Sequence, residues 1–327
     1  MLRWGIIGCG SVTEAKSGPG FQNATGSALV AVMRRDAAKS EDYARRHQVP
    51  RWYSRADDLI HDPEVDIVSI ATPPSSHCEL ALQVCAAGKP ALVEKPMATC
   101  SADADRMVKA FQAAELPLFV AFYRRALPRF VKVKALLDAG AVGEVRTVCI
   151  QHLENPRPYD PADLPWRVIP EISGGGLFVD LGSHTLDLLD FLLGPISTVR
   201  GLAANQGTPH PAEDSVAMAF QLRCGAMGTG LWQFSTYEQR DRIEIHGTQG
   251  RLIFATFADE PVRLTCQGRD EWFEISNPEA IQQPLIQTIV NQMSGGRLCP
   301  STGVSAARTV QVVESVLADY YPSLPRL

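Results

Sequence analysis

The chain has 327 residues, 45 % hydrophobic and 20 % charged, enough for two domains with cores of their own. Its 31 basic and 36 acidic residues leave a net charge of −5, and no run of Lys or Arg forms a nucleic-acid or membrane patch. Small molecules are therefore the partners to expect, not nucleic acid and not a membrane.

Cysteines at 9, 78, 85, 100, 149, 224, 266 and 299 include no CxxC pair and no Cys/His cluster of zinc spacing, so reduced thiols and a cytoplasmic location are expected, with no metal. The N-terminus enters "LRWGIIG" directly, with no signal-type segment, and no apolar run approaches a membrane span.

In chain order, "LRWGIIG", "LVAVMRR", "VDIVSIA", "ALVEK" and "LPLFVAF" read as strands, separated by helix-like stretches such as "SSHCELALQVCAAG" and "SADADRMVKAFQAAE". Near-continuous apolar strands alternating with helices predict an α/β fold that begins with a doubly wound parallel sheet of nucleotide-binding type, a domain over 1–121. From 122 to 327 a second domain is expected. It opens with a helix "LPRFVKVKALLDAG" closed by Gly140 and a strand "GEVRTVCIQHLE". After a Pro-rich segment and a further helix come the strands "VAMAFQLRC", "AMGTGLWQFS", "DRIEIHG" and "GRLIFATF", joined by short Gly-containing turns. This succession predicts an α+β domain with a mostly antiparallel sheet, finished by a helix over about 303–321.

"GIIGCGSVT" puts Gly8-Cys9-Gly10 after the first strand, where small residues let backbone N–H groups approach a pyrophosphate. The third fingerprint position is Thr13 instead of Gly or Ala, and two glycines after a strand also make a plain tight turn. At the end of the second strand Arg34 and Arg35 stand where cationic side chains would accommodate the 2′-phosphate of NADP, so NADP(H) is the preferred cofactor; the adjacent Asp36 keeps NAD(H) open.

The carboxyl ends of parallel strands line a ligand crevice, which is where "ATPPSSH" and "EKP" fall. Lys95 at the end of a buried strand must be desolvated, snorkel to water or face a ligand, and Pro96 keeps its backbone extended. Farther on, "SGGGLFVDLGSHTLDLLDFLLG" reads as a helix on which Asp180, His184 and Asp187 share one face. Three readings compete for that face: a satisfied core histidine, proton transfer, or a metal site without a further matched ligand cluster.

Together "GCG", "ATPPSSH", "EKP", "AFYRRALPRF", "WR" and "GGGLFVDLGSHTLD" resemble the glucose-fructose oxidoreductase / inositol dehydrogenase (Gfo/Idh/MocA) family over nearly the whole chain. The resemblance implies an N-terminal Rossmann domain and a C-terminal domain with a large open sheet that often forms subunit contacts, hence a homo-dimer or homo-tetramer. It implies that Lys95, Asp180 and His184 surround the nicotinamide and the reacting carbon. The cofactor wall would comprise Gly8, Gly10, Ser11 and Val12 of the phosphate turn, with Thr72, Pro73, His77, Glu94, Trp166 and Arg167. Arg124 in "YRR" and Asn155 in "ENP" are further candidates for substrate contact. Thr13 departs from the usual loop pattern and bears on the packing of the first helix.

The activity expected is reversible hydride transfer between a nicotinamide and an alcohol carbon of a sugar, polyol or related diol. His184 would be the principal acid/base, Lys95 the cation polarising the reacting oxygen, and Asp180 the orienting carboxylate; the first two roles are exchangeable. The alternatives are NAD-dependent glycoside hydrolysis and a non-catalytic nucleotide- or sugar-sensing protein on the same scaffold.

Overall fold

The computed structural model describes residues 1–321; the last residues of the expected second domain, 322–327, lie outside them. The chain forms two compact units, one of Met1–Leu127 with Pro278–Ala307 and the other of Pro128–Asn277 with the residues from Arg308 onward.

In the first unit β1 (Leu2–Ile7) leads through α1 (Gly18–Asn23) to β2 (Ser27–Met33), and α2 (Ala37–Arg46) leads to β3 (Arg51–Tyr53). There follow α3 (Ala56–Ile60), β4 (Ile67–Ile70), α4 (His77–Ala86), β5 (Ala91–Val93), α5 (Ser101–Ala113) and β6 (Leu118–Val120). The six strands pair in parallel in the order β3-β2-β1-β4-β5-β6, the doubly wound arrangement expected. Every residue of β4, β5 and β6 is buried, which is why these strands read as unbroken apolar runs. The edge strand β3 was not among the expected runs: its three residues "RWY" are half-buried or exposed and carry no periodicity.

The second unit begins with α6 (Pro128–Asp138) and β7 (Val145–Leu153), then α7 (Pro170–Ser173) and α8 (Ser183–Leu193). The strands β8 (Ile196–Ala204), β9 (Ser215–Leu222), β10 (Met227–Gln233), β11 (Arg240–Gly247), β12 (Gly250–Phe254), β13 (Val262–Cys266) and β14 (Arg269–Phe273) complete it. They form an eight-stranded sheet ordered β14-β13-β12-β11-β7-β10-β9-β8, antiparallel except where β10 meets β7, again the expected class. Strict alternation places Val216, Met218, Phe220 and Leu222 of β9 on the buried face and Ala217, Ala219 and Gln221 on the other.

Beyond β14, α9 (Gln283–Met293) belongs to the first unit. A side chain at Gly20 of α1 would stand 2.7 Å from Ile286 Cδ1, so the two helices pack through that glycine. Gln287 clamps the same end, accepting from the Thr25 N–H at 2.8 Å and donating to its carbonyl at 3.1 Å. The last helix, α10, runs Gly303–Leu317.

Candidate active site

In the first unit the expected residues gather at the carboxyl ends of neighbouring strands. After β1 the N–H groups of Gly8 and Cys9 both donate to the Met33 carbonyl at the end of β2, at 2.9 and 3.2 Å. Gly8 has φ +91°, and a Cβ there would lie 2.8 Å from Thr72 Cγ2 and 2.9 Å from the Ala71 carbonyl carbon, so its glycine is required by the fold itself. Gly10 differs, since a Cβ there would find only the Gly8 oxygen, 3.8 Å away. The protein does not use that space, and a pyrophosphate approaching the backbone fits it.

Thr13 is fully buried and bends over this turn, its hydroxyl donating to the Gly10 carbonyl at 2.9 Å while Tyr43 Oη donates to the Thr13 carbonyl at 3.1 Å. Thr13 N–H and Glu14 N–H also donate to Gly10, closing the turn over Ser11 and Val12. The departure at position 13 is accompanied by a π-helical turn, Thr13–Ser17, ahead of α1.

At the end of β2 the Arg34 guanidinium lies 3.4 Å from the Cys9 carbonyl, beside the glycine turn, and Arg35 is exposed. Asp36 is engaged as the N-cap of α2, accepting from Lys39 N–H at 3.1 Å, with the Lys39 ammonium 3.4 Å away. The amide bond and that ammonium hold its carboxyl below the usual range.

After β4, Ser76 Oγ stands 2.7 Å from Thr72 Oγ1 and 2.8 Å from the Pro73 carbonyl, fixing the turn. His77 is fully buried, with Nε2 2.7 Å from the Thr72 carbonyl and Nδ1 3.0 Å from the Pro96 carbonyl. Its ring ties the "TPP" turn to the "EKP" turn. Burial pushes its pKa down to about 4 against the pull of those carbonyls, so at neutral pH the ring carries one N–H, which donates to one of the two carbonyls while the other nitrogen faces the second with its lone pair.

The "EKP" turn leaves β5 with Glu94 N–H donating to Ile70 at 2.8 Å, and Lys95 follows, half-buried, before a cis peptide to Pro96. Glu94 accepts from Gln282 Nε2 at 2.9 Å and from Lys95 N–H at 3.2 Å, and burial raises its pKa. Arg124 follows β6, buried, its guanidinium carbon 4.9 Å from the centre of the Tyr123 ring.

In the second unit Gly174, with φ +85°, closes α7 and opens the glycine run that leads to α8. Asp180 does not sit in a uniform α-helix, as the spacing predicted, but in a π-helical turn, Phe178–Gly182, ahead of α8. The cause is local: Gly182 has no Cβ where one would meet the Phe178 ring at 2.5 Å, so the ring lies over the glycine and the turn widens.

Asp180 stands 3.4 Å from Arg167 Nε, and the Arg167 guanidinium stacks 4.4 Å from the centre of the Trp166 ring. Three expected residues thus meet. His184 is 4 % exposed, with the Phe257 ring edge-on at 5.9 Å. Asp187 is buried 3.5 Å from the Thr309 hydroxyl, and Asp190 pairs with Arg308 at 2.7 and 2.8 Å. Asn155 donates to the carbonyls of Thr236 and Tyr237 at 3.1 and 2.6 Å, which gives its amide a loop-holding task.

Sequence reasoning missed the support of His184. Phe257 also packs 5.2 Å from His152, and its loop is held by Asp241, which accepts from the N–H groups of Thr256, Phe257 and Ala258. His152 is buried, 2.9 Å from Glu154; burial opposes its charge, but Asp241 and Glu154 outweigh that and raise its pKa. His152 and Asp241 are directly opposed on β7 and β11, a pairing that no local spacing reveals.

Comparison with known proteins agrees with this architecture. Residues 2–122 match the oxidoreductase family with NAD-binding Rossmann fold, and 130–253 match the GFO/IDH/MocA C-terminal domain. Oxidoreductase P35 of Formosa agariphila is 35 % identical over 96 % of this chain and 97 % of its own. Trans-1,2-dihydrobenzene-1,2-diol dehydrogenase of Bos taurus is 26 % identical over 97 % of this chain and 94 % of its own. The WlbA dehydrogenase of Bordetella pertussis, solved with NADH and UDP-GlcNAcA, superposes with TM-score 0.83 at 26 % identity, covering 99 % of this chain and 96 % of its own. The match of both halves to one family's domains, with a relative alike from end to end, makes this chain a member of the Gfo/Idh/MocA family and an NAD(P)-dependent oxidoreductase.

Proposed function

We propose that the chain is a dehydrogenase or reductase that uses NADP(H) in preference to NAD(H) on an alcohol carbon of a sugar, polyol or related diol. The observation that carries the reading is the pairing of Arg167 with Asp180 on the widened turn, with His184 four residues after Asp180 in the first turn of α8. A sensor needs residues to bind, but not a carboxylate and an imidazole set together in this way. The substrate class follows the relatives, one of them named a diol dehydrogenase.

When bound, the nicotinamide supplies the hydride acceptor or donor. Loss of hydride from an alcohol requires the hydroxyl proton to leave, and the imidazole of His184 takes it, while the Lys95 ammonium polarises the reacting oxygen. Asp180, held by Arg167, orients the substrate hydroxyls. Gly8, Gly10, Ser11 and Val12 receive the pyrophosphate; Thr72, Pro73 and Glu94 complete the wall, with Trp166 and Arg167, and Arg124 contacts substrate. His77 holds the wall from its buried place between the Thr72 and Pro96 carbonyls, donating its one N–H to one of them. The preference for NADP(H) is supported by Arg34 beside the glycine turn and by Asp36, whose carboxylate is engaged as a helix cap.

All eight cysteines are free thiols, which supports a reducing cytoplasm. On the outer face of the second sheet Leu202, Met227 and Leu231 are exposed beside Ala217 and Ala219, which supports a homo-oligomer docked through that face. Leu231→Glu would then lower the mass found by light scattering, and an unchanged mass removes the assignment.

The decisive test is a panel of sugars, polyols and diols with NADP and NAD, followed by nicotinamide absorbance and product analysis. Net cofactor reduction by the native protein, lost in Lys95→Ala with cofactor binding retained, is the expected result. Full turnover in Lys95→Ala, or glycoside cleavage without net reduction, overturns it.

A further inference from the structure

Glu213 precedes β9 and is fully buried, yet no step above uses it. Both of its carboxyl oxygens lie 2.8 Å from the Gly176 nitrogen, and Tyr321 Oη donates to Oε2 at 2.6 Å. The Glu213 N–H in turn donates to the Tyr321 hydroxyl at 3.3 Å, so the pair is linked twice.

Gly176 has its own place in the site. Its carbonyl accepts from the Asp180 N–H at 3.2 Å, an i→i−4 bond that ties Gly176 to the middle of the widened turn. The fit around Glu213 is close: a Cβ on Gly176 would lie 2.5 Å from the Glu213 carbonyl oxygen, and one on Gly175 would lie 3.3 Å from Oε2. A side chain at either glycine would displace the carboxylate or the turn.

We propose that Glu213 is a positioning residue for the proton-transfer helix: anchored by Tyr321, its carboxylate fixes Gly176 and, through Gly176, the backbone of Asp180. This rests on the assignment of Asp180 and His184 made above. The buried carboxylate has a task there, because an ionised carboxyl accepts from Gly176 and Tyr321 at once, whereas a protonated one turns one oxygen into a donor. Burial raises its pKa to about 7 against those bonds, so both states are accessible near neutral pH. The other groups near it are the Tyr320 phenol, which donates to the Pro211 carbonyl at 3.1 Å, and Asp214, whose carboxylate accepts from the Gln206 and Gly207 amides.

The test uses Glu213→Gln, Glu213→Ala and Tyr321→Phe in the full chain, with His184→Ala as reference. Hydrogen exchange is expected to accelerate about tenfold or more at the Gly176 and Asp180 amides in Glu213→Ala, with the amides of the parallel sheet unchanged. In turnover, kcat should fall about tenfold in Glu213→Ala while KM for NADPH stays constant. The limb of the kcat profile near pH 7 should vanish in Glu213→Gln and move upward in Tyr321→Phe. Native exchange at Gly176 and Asp180, or a native pH profile in both Glu213→Gln and Tyr321→Phe, overturns the proposal. If Glu213→Ala does not fold, Tyr321→Phe and Glu213→Gln carry the same readouts. Unimpaired turnover in His184→Ala refutes the assignment of the acid/base instead, and the exchange result then still decides the role of Glu213.

Discussion

The two glycines of the phosphate turn should respond oppositely to one added methyl group. At Gly8 the backbone has φ +91°, which costs an Ala about 1–2 kcal/mol. The methyl would also stand 2.9 Å from the Ala71 carbonyl carbon and the Thr72 nitrogen, main-chain atoms that no rotamer change removes. Such overpacking adds roughly 1–3 kcal/mol. Gly8→Ala is therefore expected to lose about 2–5 kcal/mol, on the order of 10 °C in melting temperature. At Gly10 the methyl meets only the Gly8 oxygen at 3.8 Å, so Gly10→Ala should melt at the native temperature or slightly above. It should nonetheless bind NADPH at least about tenfold more weakly, about 1.4 kcal/mol, because the methyl occupies the space read as the pyrophosphate's. Thermal melting without cofactor and a fluorescence titration with NADPH measure the two effects separately. Native NADPH affinity in Gly10→Ala, or a melting temperature as low as that of Gly8→Ala, would refute the reasoning.

Arg34→Asp should weaken NADPH while sparing or improving NADH, read as the ratio of kcat/KM for the two; an unaltered ratio takes Arg34 out of the cofactor site. His77→Ala removes the link between the Thr72 and Pro96 carbonyls and should cost about 1–3 kcal/mol by denaturant titration. It should also raise KM for the cofactor, and a rise without loss of stability would mean that the ring touches cofactor directly. For Glu213 the folded pKa of about 7 lies above the ordinary 4.5, so burial disfavours the charged form. Its contribution is complete below about pH 4.5 and is lost as pH rises through 7, a swing of about 3 kcal/mol. Glu213→Gln should flatten the stability profile between pH 5 and 8; an unchanged slope would assign the titration to another group.

The parallel half of the fold was legible because strands covered by helices on both faces must be apolar throughout, as in "IVSI" and "LFV". Strand β3 was not, since half-buried "RWY" obeys neither pattern. In the second sheet β9 and β10 alternate cleanly, whereas the mostly exposed "RDEWF" of β14 has no apolar side to declare itself. The sequence "QQPLIQTIVNQM" carries no sign of the core on which α9 packs, because that depends on Gly20, far away in the chain, leaving room for Ile286. Of the candidate residues, those fixed by strand ends were readable from topology. Glu213, Asp241 and His152 were not, because each acts across the second unit on a backbone group or ring that no spacing connects to it.

The two π-helical turns share a cause that joins these observations. In the first, Gly18 N–H donates to the Thr13 carbonyl, and a Cβ on Gly18 would lie 2.3 Å from that same oxygen. In the second, Ser183 N–H donates to the Phe178 carbonyl, and Gly182 leaves room for the Phe178 ring. Each widened turn needs a glycine at or next to its closing bond, because the extra residue per turn brings main chain and side chain closer than a Cβ permits. One turn follows the phosphate loop and the other carries Asp180. A regular α-helix at either place would rotate the residues that follow by about 100° for the residue left out. The glycines that look permissive in the sequence are therefore what set the direction of His184 and the rest of α8 relative to the Asp180–Arg167 pair, and the buried carboxylate of Glu213 holds Gly176 just ahead of that turn.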